Sequence, residues 1–137
     1  MRHGVKVFAL LMFLASCTAT RPEGKKLVVV SILPQKYFVE QIAGNDLEIE
    51  VLVTPGSSHE TYDLTPQQMA KVGEAVLWIK NGHLAFEEQW EPKFLSTNSA
   101  MKVVDWSEGL DLIKGEDHHH KEGIDPHYWL SPRQALV

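Results

Sequence analysis

The chain has 137 residues, of which 44% are hydrophobic and 23% are charged, and its formal net charge is −5. This length suits one globular domain, and this composition excludes an intrinsically disordered chain. The negative charge argues against nucleic acid or an anionic membrane surface as a partner, because both require basic patches. An acidic surface is compatible with a cationic ligand.

The first 16 residues are predicted to be a signal peptide and not part of the fold. Arg2 and Lys6 precede the apolar run 7–14, which is far shorter than the roughly 20 residues needed to span a bilayer. The residues Leu-Ala-Ser-Cys at 14–17 match a bacterial lipobox, in which Cys17 is lipidated and becomes the first residue of the mature chain. The alternative is an ordinary signal peptide with a cysteine near its cleavage point. Cleavage before Cys17 removes two positive charges and lowers the net charge from −5 to −7.

Residues 17–25 are predicted to be a flexible polar tether between the anchor and the domain. Beyond them, apolar runs alternate with helical patterns, which is typical of an α/β fold with a mostly parallel sheet. Four strands are predicted, and the acidic residues that alternate through the second favour a position near the sheet edge. Three helices are predicted, and Pro92 is a residue at which the last could kink. The predicted strands are 26–33, 47–53, 75–79 and 102–104, and the helices are 34–44, 65–73 and 84–95.

A further helix is predicted to begin at Ser131, which would be its N-cap in a capping box with Gln134. The chain ends after one apolar turn of this helix, and short isolated helices are only marginally stable. We therefore interpret residues 26–130 as an N-terminal α/β lobe and residues 131–137 as the start of a connecting helix. On this interpretation the sequence is the N-terminal fragment of a longer protein.

Two histidines are candidate metal ligands, since neutral imidazole is a leading ligand for zinc and similar ions. His59 lies in the loop after the second strand, and His127 follows the fourth strand and its long loop. Because the carboxyl ends of parallel strands meet at one edge of a sheet, both side chains can lie on the same rim. The alternatives are a surface histidine in a turn for His59 and a histidine packed in an aromatic cluster for His127.

The neighbours of His127 suggest how its ring could be held. Asp125 could accept an N–H from the His127 ring and so orient it for metal binding. Tyr128 and Trp129 could shield a site from water. By contrast, His83 is predicted to lie at a helix start and not on a metal.

Three consecutive histidines, His118, His119 and His120, lie among acidic residues in a polar loop. Such a run could collect metal, but flexible imidazoles without fixed geometry would bind it weakly and exchange it quickly. The alternative is a solvated loop without a metal role.

Two motifs resemble those of the zinc and manganese solute-binding proteins of ABC importers. The run P-G-S-S-H-E-T-Y-D-L-T-P, residues 55–66, is similar to their first metal-ligand motif. The run D-P-H-Y-W-L-S-P, residues 125–132, resembles the second, with Ser131 where an aspartate is usual. Residues 115–123 stand where zinc-preferring members carry a histidine- and acid-rich loop, although this one is short. The resemblance extends from about Lys25 to the last residue.

This resemblance implies a two-lobed protein with a long connecting helix and the metal in the cleft between the lobes. His59 and His127 would be the two ligands from the N-terminal lobe. A third histidine and commonly a carboxylate would come from a second lobe that this sequence lacks. Since zinc usually takes four ligands, we expect this chain alone to bind it more weakly than a two-lobed protein would.

The function implied is that of a monomeric, lipid-anchored receptor outside the cytoplasmic membrane that captures Zn²⁺ and passes it to an ABC permease. The histidine run favours zinc, while manganese or iron is the alternative, and an additional adhesin role stays open. A secreted metallohydrolase that uses His59, Asp125 and His127 is the alternative from another class. A catalytic zinc needs three protein ligands and an open position, but no general base is evident, and the common hydrolase motifs are absent.

Overall fold

The computed structural model describes residues 24–114 and 123–134. The signal peptide, Cys17 and the histidine run lie outside these residues. The described chain forms a parallel sheet with helices between consecutive strands, and the predicted α/β class is confirmed. Its elements are β1 (Lys26–Val30), α1 (Leu33–Ala43), β2 (Leu47–Val51), α2 (Pro66–Glu74), β3 (Leu77–Lys80), α3 (Ala85–Thr97), β4 (Lys102–Asp105) and a short 3₁₀ helix (Tyr128–Leu130).

The strand order in the sheet is β2-β1-β3-β4, and every pair is parallel. The edge position predicted for the second strand is therefore confirmed. The chain moves one way from β1 to β2 and then crosses back over β1 to β3. In parallel sheets such a reversal creates a crevice at the carboxyl ends of the strands, here between β1 and β3, and ligands bind in crevices of this kind.

The main hydrophobic core lies on the face of the sheet that α2 and α3 cover. Leu27 and Val29 of β1 belong to this core, whereas Val28 and Val30 are buried but lie outside it. This alternation is what a central strand covered on both faces requires, because successive side chains point to opposite faces. The largest buried side chain, Trp78 of β3, packs edge-on against Phe94 at a ring-centroid distance of 4.9 Å.

The predicted helix starts are largely confirmed. At α2 the Thr65 hydroxyl accepts the Gln68 N–H at 3.3 Å, while the Gln68 side chain accepts the Thr65 N–H at 3.0 Å, which is the predicted capping box. The first strand was predicted to run to residue 33, but β1 ends at Val30. The reason is the side chain of Gln35, which accepts the N–H groups of Ser31 and Ile32 and turns the chain into α1.

Two further details differ from the sequence-based expectation. Helix α3 continues through Pro92 and ends at Thr97, beyond the predicted end at residue 95. At Ser131 the predicted capping box with Gln134 does not form. The Gln134 amide donates instead to the main-chain carbonyl of Asp111 at 2.7 Å, and the Ser131 N–H donates to the carbonyl of Tyr128. Among the residues described, no helix has the length and apolar character needed to cross a membrane.

Candidate metal centre

His59 lies in the loop 54–65 that joins β2 to α2, as the sequence predicts. Both ends of this loop are tied to one buried residue of α2. The Gln68 amide donates to the Leu52 carbonyl at 2.6 Å and to the Tyr62 hydroxyl at 3.2 Å, and Gln68 also makes the capping contacts at Thr65. The loop that carries the half-buried His59 therefore starts and ends at fixed points of the fold.

His127 lies immediately before the 3₁₀ helix and is oriented by its own neighbours. Its Nδ1 lies 2.8 Å from Asp125 Oδ1, and its main-chain N–H donates to the same oxygen at 2.9 Å. The predicted contact between Asp125 and the His127 ring is therefore confirmed. With Nδ1 engaged in this way, Nε2 is the nitrogen positioned to bind a metal ion.

The two aromatic neighbours of His127 behave differently from each other. Trp129 packs against the His127 ring at a centroid distance of 5.2 Å, so it covers one side of the imidazole. Tyr128 is 9% exposed and points into the fold, where its hydroxyl donates to the Asn81 carbonyl at 2.7 Å. Of the two rings expected to shield a site from water, Trp129 is thus the one that packs against the imidazole, while the hydroxyl of Tyr128 anchors the segment.

The predicted meeting of the two histidines on one rim is confirmed. The ring centroids of His59 and His127 are 5.9 Å apart, with an angle of 64° between the ring planes. Two imidazoles bound to one tetrahedral zinc ion, at the usual Zn–N distance, place their centroids roughly 5 Å apart. The observed separation is thus within a small side-chain rotation of a shared ion. Their role as metal ligands stays a prediction.

No group of three or more His, Cys, Asp or Glu side chains in residues 24–114 and 123–134 is arranged to hold a metal ion. The described part of the chain thus offers a histidine pair and not a closed coordination shell. His83 lies in the loop between β3 and α3, two residues before the helix, as predicted. The run from His118 to His120 lies outside the described residues.

A buried polar network that the sequence did not reveal lies beneath this pair, at the carboxyl ends of β1 and β3. Glu87 of α3 is 3% exposed, and its carboxylate accepts the N–H groups of Asn81 at 2.6 Å and Gly82 at 2.8 Å. Gly82 has a φ of +94°, and a Cβ at this position would collide with Asp105 and Ser107. Only glycine therefore fits this turn without strain.

The ionisation of two groups in this network is shifted. Burial raises the pKa of the Glu87 carboxyl, although hydrogen bonds from Ser31, Asn81 and Gly82 oppose the shift. Burial, followed by the nearby negative charges of Glu87 and Asp105, also raises the pKa of Tyr128. The Tyr128 hydroxyl therefore keeps its proton and remains a donor to Asn81.

The Glu87 shift predicts a specific pH dependence of stability. Because the pKa in the folded chain lies above its ordinary value of 4.5, folding favours the protonated carboxyl. The stability of the wild-type chain relative to Glu87→Gln should therefore fall as pH rises from 4.5 through the raised pKa, by at most about 1.4 kcal/mol per pH unit. Urea unfolding of both proteins at a series of pH values measures this difference. A difference that is constant, or that changes in the opposite direction, would contradict the prediction.

Comparison with known proteins identifies the family. The sequence profile described as "ZnuA: Zinc-uptake complex component A periplasmic" matches residues 28–137. The chain belongs to the ZnuA family. The relatives in this family are solute-binding proteins of zinc and manganese ABC transporters, and they are not enzymes. The metallohydrolase alternative is therefore set aside.

Individual relatives of the ZnuA family agree with this assignment. The chain is 29% identical to the zinc-binding lipoprotein AdcA of Streptococcus pneumoniae, over 91% of this chain and 27% of AdcA. It is 28% identical to the manganese-binding lipoprotein MntA of Halalkalibacterium halodurans, over 95% of this chain and 43% of MntA. A crystal structure of a zinc-bound ZnuA deletion mutant superimposes with a TM-score of 0.73 and 35% identity, over 82% of this chain and 42% of that one. The chain thus spans less than half the length of these relatives.

Proposed function

We propose that this chain is the N-terminal lobe of an extracytoplasmic solute-binding protein that captures Zn²⁺ and delivers it to an ABC permease. The observation that carries the proposal is the pair of imidazoles, His59 and His127, which two distant segments of the chain bring to within 5.9 Å. The contact between Asp125 and His127 supports it, since a ligating histidine almost always donates the N–H of its other ring nitrogen to such a partner.

Zinc is the metal that the donor set favours. Imidazole nitrogen suits zinc, whereas manganese favours sites richer in carboxylate and other oxygen ligands. The relatives include both a zinc-binding and a manganese-binding lipoprotein, so sequence similarity at this level supports either metal. The choice of zinc therefore depends on the two histidines and on the histidine run at 118–120.

Two further parts of the proposal concern residues outside the described ones. Cys17 would carry the lipid that anchors the mature chain at the outer face of the cytoplasmic membrane. His118, His119 and His120 would form a loose accessory collector that raises the local zinc concentration near the cleft. The protein would act as a monomer with the permease as its partner.

The test is a calorimetric titration of the 137-residue chain with Zn²⁺ and with Mn²⁺ at neutral pH. We expect zinc to bind more tightly than manganese. Equal affinities would contradict the preference for zinc, and tighter binding of manganese would replace zinc as the cargo. Binding of neither ion would overturn metal capture by this chain.

The contribution of Asp125 can be measured separately. Asp125→Ala should weaken zinc binding by about 10–100-fold, because the His127 ring loses the carboxylate that fixes its tautomer and orientation. Asp111→Ala is the matched control, since Asp111 lines the same cavity of about 300 Å³ beside His127 and carries the same charge. An equal effect of the two substitutions would indicate a general charge effect and would contradict a specific role for Asp125.

A further inference from the structure

One residue in the loop after β3, Asn81, is hydrogen-bonded to the segment that carries His127 on both sides of the histidine. The Asn81 side-chain amide donates to the Pro126 carbonyl at 3.2 Å, and the Asn81 main-chain carbonyl accepts the Tyr128 hydroxyl at 2.7 Å. From this arrangement we infer that Asn81 is a positioning residue for His127, which it holds at the correct distance from His59. This inference rests on the proposed metal site and adds to it a residue outside both metal-ligand motifs.

The contacts that orient the His127 ring are local in the chain, whereas those of Asn81 with this segment join distant parts of it. Asp125 and Trp129, which both contact the ring, lie two residues away in the same segment. They orient the ring within its segment, and each also ties the segment to the fold: Trp129 packs against the main core, and the Asp125 N–H donates to the Ile113 carbonyl. The Asn81 bonds join residues 45 and 47 positions apart and tie the segment to the end of β3, directly before and directly after the histidine. A pair of ligands on two segments binds a metal well only when both segments are held within a fraction of an ångström.

Asn81 is itself held rigidly enough for this role. Its exposed fraction is 0%, and its N–H donates to the buried Glu87 carboxylate at 2.6 Å. The Asn81 Oδ1 accepts the main-chain N–H of His83 at 3.4 Å. The oxygen and the nitrogen of the side-chain amide are thus both hydrogen-bonded, which fixes the orientation of the amide. Asn81 also directly follows β3, next to the crevice where the strand order reverses. The positioning contacts are thus built on the central part of the sheet.

A purely structural role for Asn81 is the competing explanation, and the chain offers a matched control for it. Asn98, at the C-terminal end of α3, also donates its amide to main-chain carbonyls, those of Val72, Gly73 and Ala75, at 2.8–3.1 Å. Asn98 has no contact with the His127 segment in the described hydrogen bonds. Asn81→Ala and Asn98→Ala should therefore both lower the thermal unfolding midpoint, because the first leaves the Pro126 carbonyl and the second leaves main-chain carbonyls of α2 and its C-terminal end without their side-chain donor.

The experiment compares the wild-type 137-residue chain with Asn81→Ala and Asn98→Ala in two measurements. The first is the dissociation constant for Zn²⁺ by calorimetry. We expect Asn81→Ala to weaken binding by about 10–100-fold, as for other residues that support metal ligands, and Asn98→Ala to leave it unchanged. The second is the nuclear Overhauser contact between the His59 and His127 rings without metal, which we expect to persist in Asn98→Ala and to disappear in Asn81→Ala.

The inference is overturned if Asn81→Ala binds zinc as wild type does and keeps the contact between the rings. If Asn81→Ala does not fold, Tyr128→Phe removes the other bond, the one to the Asn81 main-chain carbonyl, with little change in packing. Tyr128→Phe should also weaken zinc binding, and unchanged affinity would overturn the inference.

If the wild-type chain binds no zinc, the proposed function fails. The ring contact without metal then decides the positioning role by itself, with loss in Asn81→Ala supporting it and retention overturning it.

Discussion

Replacing His59 and His127 together by alanine should remove the proposed zinc site of this chain and weaken binding by at least about 100-fold, which is the upper range for a residue that only supports a ligand. The physical reason is that the pair supplies both protein nitrogens that meet at the rim of the sheet, 5.9 Å apart by ring centroid. Zinc binding by the wild-type chain should also weaken on acidification, because protons compete with the metal for the imidazole nitrogens. Calorimetric titration of both proteins with Zn²⁺ measures the effect.

The histidine run could bind zinc loosely and obscure this result. The comparison should therefore be made in a chain that also carries His118→Ser, His119→Ser and His120→Ser. His83→Ala is the matched control, since it removes an imidazole from the loop after β3, outside both motifs. A double variant of His59 and His127 that binds zinc as tightly as its parent would refute the site, and so would an equal loss of affinity in His83→Ala.

Trp78→Ala should have the largest effect on stability, about 3–5 kcal/mol. The Trp78 side chain has an exposed fraction of 0%, packs against Phe94 and donates its indole N–H to the Ser31 hydroxyl at 3.1 Å. Removing it leaves a large cavity in the main core and a buried hydroxyl without its donor. This loss is a substantial part of the roughly 5–15 kcal/mol that stabilises a typical domain.

Urea unfolding followed by circular dichroism measures this loss, with Tyr37→Ala as the control. Tyr37 is also aromatic but is 60% exposed on α1, so its removal should change the free energy of unfolding by no more than about 0.5 kcal/mol. A loss below about 1 kcal/mol for Trp78→Ala would mean that the core relaxes around the missing ring and does not depend on it.

The order and type of the elements could be predicted because their signals are local. Apolar runs rich in β-branched residues predicted the strands. Thr65 and Gln68, which lie only three residues apart in the chain, predicted the start of α2. Errors occurred where a side chain competes with the expected backbone bonds. Gln35 ends β1 early by accepting two N–H groups, and Gln134 donates to Asp111 in place of capping at Ser131.

The candidate ligands could also be predicted, because His59 and His127 lie in short motifs and both follow strands of a parallel sheet. That two such residues share a rim follows from the direction of the strands. The support beneath them could not be predicted, since the bonds from Asn81 to Pro126 and Tyr128 join segments 45 and 47 residues apart. In the sequence, Asn81 and Gly82 carry no signal beyond their place between the predicted third strand and third helix.

By itself, the sequence determined the α/β alternation, the two motifs that hold the candidate histidines, and the contact between Asp125 and His127, because these depend on residues close together in the chain. The tertiary structure alone decided which polar groups are buried. Glu87 and Glu88 are adjacent acidic residues in one helix, yet Glu87 is 3% exposed and Glu88 lies at the surface. The difference arises because a helix turns about 100° per residue, so only one of the two faces the carboxyl ends of β1 and β3. There Glu87 binds the Asn81 turn, and burial raises its pKa.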